Sequence, residues 1–129
     1  DEEGNVYLVR QYRAPIDRIT LEIPAGKLGY KGEDRLLAAK RELEEETGFS
    51  ANRWTHLTDM LTTLGFCDEC ISIYVAAGLT RGNAHPDADE FLNVVRMPLA
   101  RALSLVYANE IHDSKTICAL LLADRLAHK

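Results

Sequence analysis

Cysteine is scarce and positive charge is outnumbered, and both shortages narrow the field before any motif is read. Three cysteines in 129 residues, Cys67, Cys70 and Cys118, cannot build a disulfide framework. A reducing, cytoplasmic setting is therefore expected. Fifteen Lys and Arg against twenty Asp and Glu leave a formal net charge of -5. That argues against a general nucleic-acid or membrane-surface partner, which needs a basic field. It leaves open a local positive pocket for one phosphorylated small molecule. No apolar run approaches the roughly 20 residues of a membrane span. No signal peptide, repeat, linker or low-complexity tract is read. The first residue is Asp1 rather than Met, which leaves room for an upstream segment.

Cys67 and Cys70 do form a C-x-x-C. A zinc site needs a second ligand pair, and the four histidines, His56, His85, His112 and His128, are scattered. A redox pair should open a helix, whereas the following "CISIYVA" reads as a strand. The thiols are read as incidental.

What is present is an ordinary globular composition, 47% hydrophobic and 27% charged, in a length suited to one domain. "NVYLVRQY" alternates as a strand, and "ITLEIPAG" is a second strand stopping at Pro24 and Gly26. "KLGYKGED" is loop. A helix is predicted from about Asp34 to Thr47, closed by a left-handed cap at Gly48, with Phe49 folding back on the last turn. "WTHLTDMLTTL" and "CISIYVAAGLT" read as strands around "GFCDE". "GNAHPDADE" is an acidic loop and "FLNVVRM" another strand. Pro98 starts a helix to about Tyr107, and Asp113 caps a last helix, "SKTICALLLADRLA". The mixture predicts an α/β fold, a mixed sheet covered by helices.

The chemistry concentrates in "RELEEETGF", Arg41 to Phe49. At about 100° per residue, Glu42, Glu45 and Glu46 share one arc, beside an apolar stripe of Leu36, Ala39 and Leu43. Glu44 points the other way. Arg41 can hold Glu45 by a charge-assisted bond. Hard divalent cations want oxygen ligands, and Glu42 and Glu46 at i, i+4 suit one, with Glu45 alongside. From the helix alone, a solvated charged face accounts for the pattern equally well.

The residues also match a pattern, G-x5-E-x7-R-E-U-x-E-E-x-G-U with U bulky and apolar. Glu33, Arg41, Glu42, Leu43, Glu45, Glu46, Gly48 and Phe49 fall in register. Gly26 lies one residue too far from Glu33, a one-residue insertion in the loop. This resembles the Nudix box. "LEIPAGK" and "VRQYR" are similar to the box entry and preceding strand of the ADP-ribose pyrophosphatase branch. "GFCDE" resembles its substrate loop, with Leu64 where that branch usually has proline. "DADEFLNVVRMPLARAL" and "IHDSKTICALLL" extend the likeness through the C-terminal half.

The resemblance implies a Nudix fold with helices on both faces of a mixed sheet, as a single domain over residues 1–129. Relatives carry further N-terminal strands that help form a homodimer. It implies hydrolysis of the pyrophosphate of a nucleoside diphosphate derivative with Mg2+, or Mn2+ in its place. The first substrate is ADP-ribose, giving AMP and ribose 5-phosphate. The alternatives are a GDP- or UDP-sugar pyrophosphatase and a non-catalytic nucleotide-binding module. The implied metal ligands are Glu42, Glu45, Glu46, Glu90 and the carbonyl of Ala25. The implied base lies in "HPDADEF", with Glu90 first and Asp89 and Asp87 behind it; the alternative is a solvated acidic loop. Arg13 is the candidate for gripping a phosphate, with an ion pair at the strand end as the alternative. Glu22, Phe66 and Glu69 are weaker candidates for the base or ribose, with Phe66 alternatively in the core. Tyr12 and Tyr30 could stack on a base. His112 and Lys115 are assigned to capping or local salt bridges, and His85 has no assigned chemistry.

Overall fold

Apolar–polar alternation near the start of the chain becomes a hairpin. Strand β1 (Asn5–Arg13) pairs antiparallel with β2 (Arg18–Glu22), Val9 facing Glu22 and Arg13 facing Arg18. The computed structural model describes residues 1–82 and 93–129. A 3-10 turn, Ala14–Ile16, joins the two strands. Periodicity does not signal this turn. Pro15 fits its start, and Asp17 closes it at a left-handed φ of 49° while accepting a 2.6 Å hydrogen bond from the Tyr12 hydroxyl. Strand β5 (Val94–Pro98) pairs antiparallel with the other edge of β1, so the order is β2-β1-β5.

The second sheet is the long hairpin of β3 (Phe49–Leu61) and β4 (Cys70–Arg81), with a register shift between His56 and Thr58. Strand β3 starts five residues before the expected Trp54. Phe49 opens the strand, and its ring packs with its centroid 4.7 Å from that of Tyr7. The strand also ends at Leu61 rather than Leu64, because the Thr63 carbonyl accepts from the amides of Phe66 and Cys67 and turns the chain.

Helix α1 (Arg35–Thr47) begins and ends where its signals stand. Asp34 accepts from the Leu37 amide at 3.1 Å, and Gly48 takes a φ of 78° while its amide reaches the Glu44 carbonyl. Helices α2 (Leu99–Tyr107) and α3 (Ser114–Ala127) follow, the latter capped by Asp113 on the Thr116 amide. The core forms where the first sheet meets α2 and α3: Leu8 of the central strand packs with Ala102, Leu103, Ile111 and Leu120. Leu8 is 1% exposed, so truncating it to Ala would cost about 2–5 kcal/mol. Helix α3 also touches β3 and β4, so it contacts both sheets and carries its first turn to the end of β2.

Candidate active site

The site is assembled around α1. Asp34, Ala38, Glu42 and Glu46 lie at i, i+4 spacing in one row. Ala38 is buried, Glu42 and Glu46 are half-buried, and Glu44 is exposed. The expected apolar stripe, Leu36, Ala39 and Leu43, is half-buried as well. Glu42 and Glu46 are thus half-buried beside that stripe, and Glu45 is exposed.

The strand-end segment after β2 meets that row. The Ala25 amide donates to Glu46 Oε2 at 3.1 Å. Gly26 lies so close to Glu42 that a Cβ there would stand 1.9 Å from the Glu42 carboxyl carbon. Only a residue without a side chain lets Glu42 keep its place. Burial pushes the Glu46 carboxyl above its ordinary range, the Ala25 amide draws it down, and the Glu42 charge raises it again.

Arg41 is the positive group among these acids. Its guanidinium donates to Glu42 Oε1 at 2.8 Å, to Glu33 Oε1 at 3.1 Å and to the Lys27 carbonyl at 3.3 Å, and lies 3.6 Å from Glu45 Oε2. The extra loop residue does not break this arrangement. Gly32, at a φ of 88°, helps turn the loop, and Glu33 still reaches Arg41 while accepting from the Gly29 amide at 2.6 Å. The Gly29 amide and then Arg41 hold the Glu33 carboxyl below its ordinary range.

The acids suit a divalent cation in kind: oxygen donors, two of them half-buried, with Glu46 destabilised as an anion where it stands. Among the described residues, no three acidic, imidazole or thiol side chains converge closely enough to enclose an ion alone. Arg41 takes one oxygen of Glu42 and stands 3.6 Å from Glu45 Oε2. A carboxylate pair completed by substrate phosphates and water is the usual magnesium arrangement and needs no such cage.

Arg13 and Glu22, named separately from the sequence, meet in one ion pair. Glu22 is 2% exposed and accepts from Arg13 Nε at 2.8 Å and Nη2 at 2.6 Å. It also accepts from the Thr20 hydroxyl and, at 2.8 Å, from Lys115 Nζ. Arg13 above all holds its carboxyl down, to about 2. Lys115 thus does more than local pairing with Asp113; it spans 93 residues of sequence to Glu22. Spacing along the chain carries no signal for that contact.

Glu69 accepts from the Thr62 hydroxyl at 2.8 Å at the base of the β3–β4 loop. Phe66 is 87% exposed, so it is no core residue, and Leu64 is exposed beside it. Tyr12 and Tyr30 are exposed as well. Cys67, Cys70 and Cys118 are free thiols. Asp87, Asp89 and Glu90 lie outside the described residues, as does His85.

Over residues 1–120 the sequence matches the family described as NUDIX domain. The chain belongs to the NUDIX family. A methanol dehydrogenase activator of Bacillus methanolicus is 43% identical to it, over 98% of this chain and 71% of the relative. An ADP-ribose pyrophosphatase of Bacillus subtilis (strain 168) is 42% identical, over 92% of this chain and 65% of the relative. A crystal structure of an ADP compounds hydrolase superposes with a TM-score of 0.82 at 29% identity, covering 96% of this chain and 66% of that one. The NUDIX chain described here thus spans about two thirds of the length of these relatives. Its α/β architecture is that of the NUDIX fold. Among the described residues, no helix is long and apolar enough to cross a membrane.

Proposed function

We propose that this NUDIX domain hydrolyses the pyrophosphate bond of a nucleoside diphosphate derivative in a divalent-metal-dependent reaction, with ADP-ribose as first substrate and AMP and ribose 5-phosphate as products. The observation that carries the reading is the meeting of Glu42 and Glu46 with the Ala25–Gly26 segment. The names of the relatives, an ADP-ribose pyrophosphatase and an ADP compounds hydrolase, support the substrate class. The reading includes magnesium as the cation, with manganese as a substitute, a homodimer for the full-length protein and a cytoplasmic setting.

Glu42 and Glu46, with Glu45 and the Ala25 carbonyl, would hold the metal. When bound, a divalent cation neutralises phosphate charge and lowers the pKa of a coordinated water. The residues of the chain do the rest by position, which is the main demand of phosphoryl chemistry. Arg41 fixes Glu42 and Glu45, and the Ala25 amide fixes Glu46. Glu22 takes the Nε–Nη2 edge of Arg13, and the Nη1 side of the guanidinium is assigned to a substrate phosphate. Phe66 and Glu69 are assigned to the base or ribose. Glu90, then Asp89 and Asp87, are assigned to proton removal from the attacking water, with Glu90 also a metal ligand.

The test is a substrate panel with magnesium, comparing ADP-ribose with GDP- and UDP-sugars and analysing the products. Preferred release of AMP from ADP-ribose, lost in Glu42→Gln and Glu46→Gln, is expected. Clear preference for a non-adenine sugar nucleotide would overturn the substrate and keep the chemistry. A relative named as an activator of another protein motivates a second reading, a nucleotide-binding regulator. Binding of ADP-ribose with no turnover in magnesium or manganese would establish it over the first.

A further inference from the structure

The polar chain that begins at Lys115 ends at Glu46. Lys115 Nζ, on a side chain 12% exposed, donates to buried Glu22 at 2.8 Å. One residue further along β2's exit, the Ile23 amide donates to the hydroxyl of Thr116, a residue 0% exposed, at 3.0 Å. Two residues beyond that, the Ala25 amide donates to Glu46. The four residues Glu22 to Ala25 are therefore held at one end by the first turn of α3 and at the other by α1. Pro24 stiffens the span between the two attachments.

We propose that Lys115 is a positioning residue for the metal-binding carboxylates, acting from the C-terminal helix through Glu22 and the segment that leads to Ala25. The inference rests on the metal-dependent reading given above. Its physical basis is that Glu22 cannot leave its place while two cations and the Thr20 hydroxyl hold it. Removing the Lys115 charge leaves Glu22 Oε1 to Arg13 Nη2 alone and takes away the tie between Glu22 and α3, which loosens the docking of α3 on the segment. The Ala25 amide then wanders, and Glu46 loses the bond that orients it. Groups that orient metal ligands from behind typically contribute 10- to 100-fold in affinity.

The experiment measures Mn2+ binding to the free protein by the loss of the aqueous ion's electron paramagnetic resonance signal, without substrate. Glu46→Gln, Lys115→Met, Lys115→Arg and Ile117→Val are compared with the parent. Ile117→Val trims a partly buried core side chain on the same helix but leaves the polar chain intact. Lys115→Met is expected to raise the Mn2+ Kd about tenfold. Lys115→Arg should recover most of the affinity, and Ile117→Val should bind as the parent. If Lys115→Met does not fold, Lys115→Gln, which can still donate one neutral hydrogen bond, should weaken binding in the same direction. Normal Mn2+ binding by the Lys115 variants, with Glu46→Gln weakened, overturns the inference and leaves the metal reading standing. Equal weakening by Lys115→Met and Ile117→Val overturns it too, since the effect is then general stability. Undiminished binding by Glu46→Gln brings down the metal reading itself, and the inference with it.

Discussion

Glu22→Gln is the substitution whose consequence can be worked furthest. The glutamine keeps the shape and discards the charge that Arg13 and Lys115 share. In the folded protein the Glu22 carboxyl is held down to about 2, against an ordinary value of 4.5, chiefly by Arg13. The folded value is the lower one, so ionised Glu22 stabilises the fold fully above the unfolded value. That stabilisation is lost as pH falls from 4.5 through 2. The difference corresponds to about 3 kcal/mol at pH 7, with about 1 kcal/mol left at pH 3. The half-exposed Arg13 end is screened by salt, which makes the first figure an upper one. Urea unfolding of parent and variant at both pH values measures it. The expected gap between them is about 3 kcal/mol at pH 7, shrinking by about 2 kcal/mol at pH 3. A gap that does not change between pH 7 and pH 3 would refute the assignment of this stability to the Glu22 charge.

Gly26→Ala should displace the Glu42 carboxylate and lower kcat about 10- to 100-fold, with a melting temperature close to the parent's, as read by kinetics beside calorimetry. Arg41→Met removes the group that ties Glu33, Glu42 and Glu45 together; the expected loss is in kcat more than KM, and equal KM and kcat in the variant would remove Arg41 from the site. Phe66→Ala should change stability by less than about 0.5 kcal/mol, because the ring is exposed, yet raise KM for the nucleotide substrate. Asp87→Asn, Asp89→Asn and Glu90→Gln should include at least one severe loss of turnover; near-normal rates in all three would take the base away from that loop.

Local signals were sufficient wherever the physics is local. Asp34, Gly48 and Asp113 cap their helices as their residue types predict, since a cap needs only neighbours three or four residues away. The helical spacing of Glu42, Glu45 and Glu46 and the pairing of Arg41 with Glu45 follow from the same short-range geometry. Strand ends were less legible. Phe49 starts β3 because a ring 4.7 Å away in β1 gives it a place there, and nothing in its neighbours announces Tyr7.

By itself, then, the order of residues determined which side chains share a helix face, where helices stop, and which family's pattern the acids follow. Only the tertiary structure decided that Arg13 and Glu22 satisfy one another, that Lys115 joins them across 93 positions, and that the Ala25 amide meets Glu46. The reason is range: capping and helical periodicity act over one or two turns. A buried charge, by contrast, must take its partner from whatever element the packing of sheet and helix brings within about 3 Å.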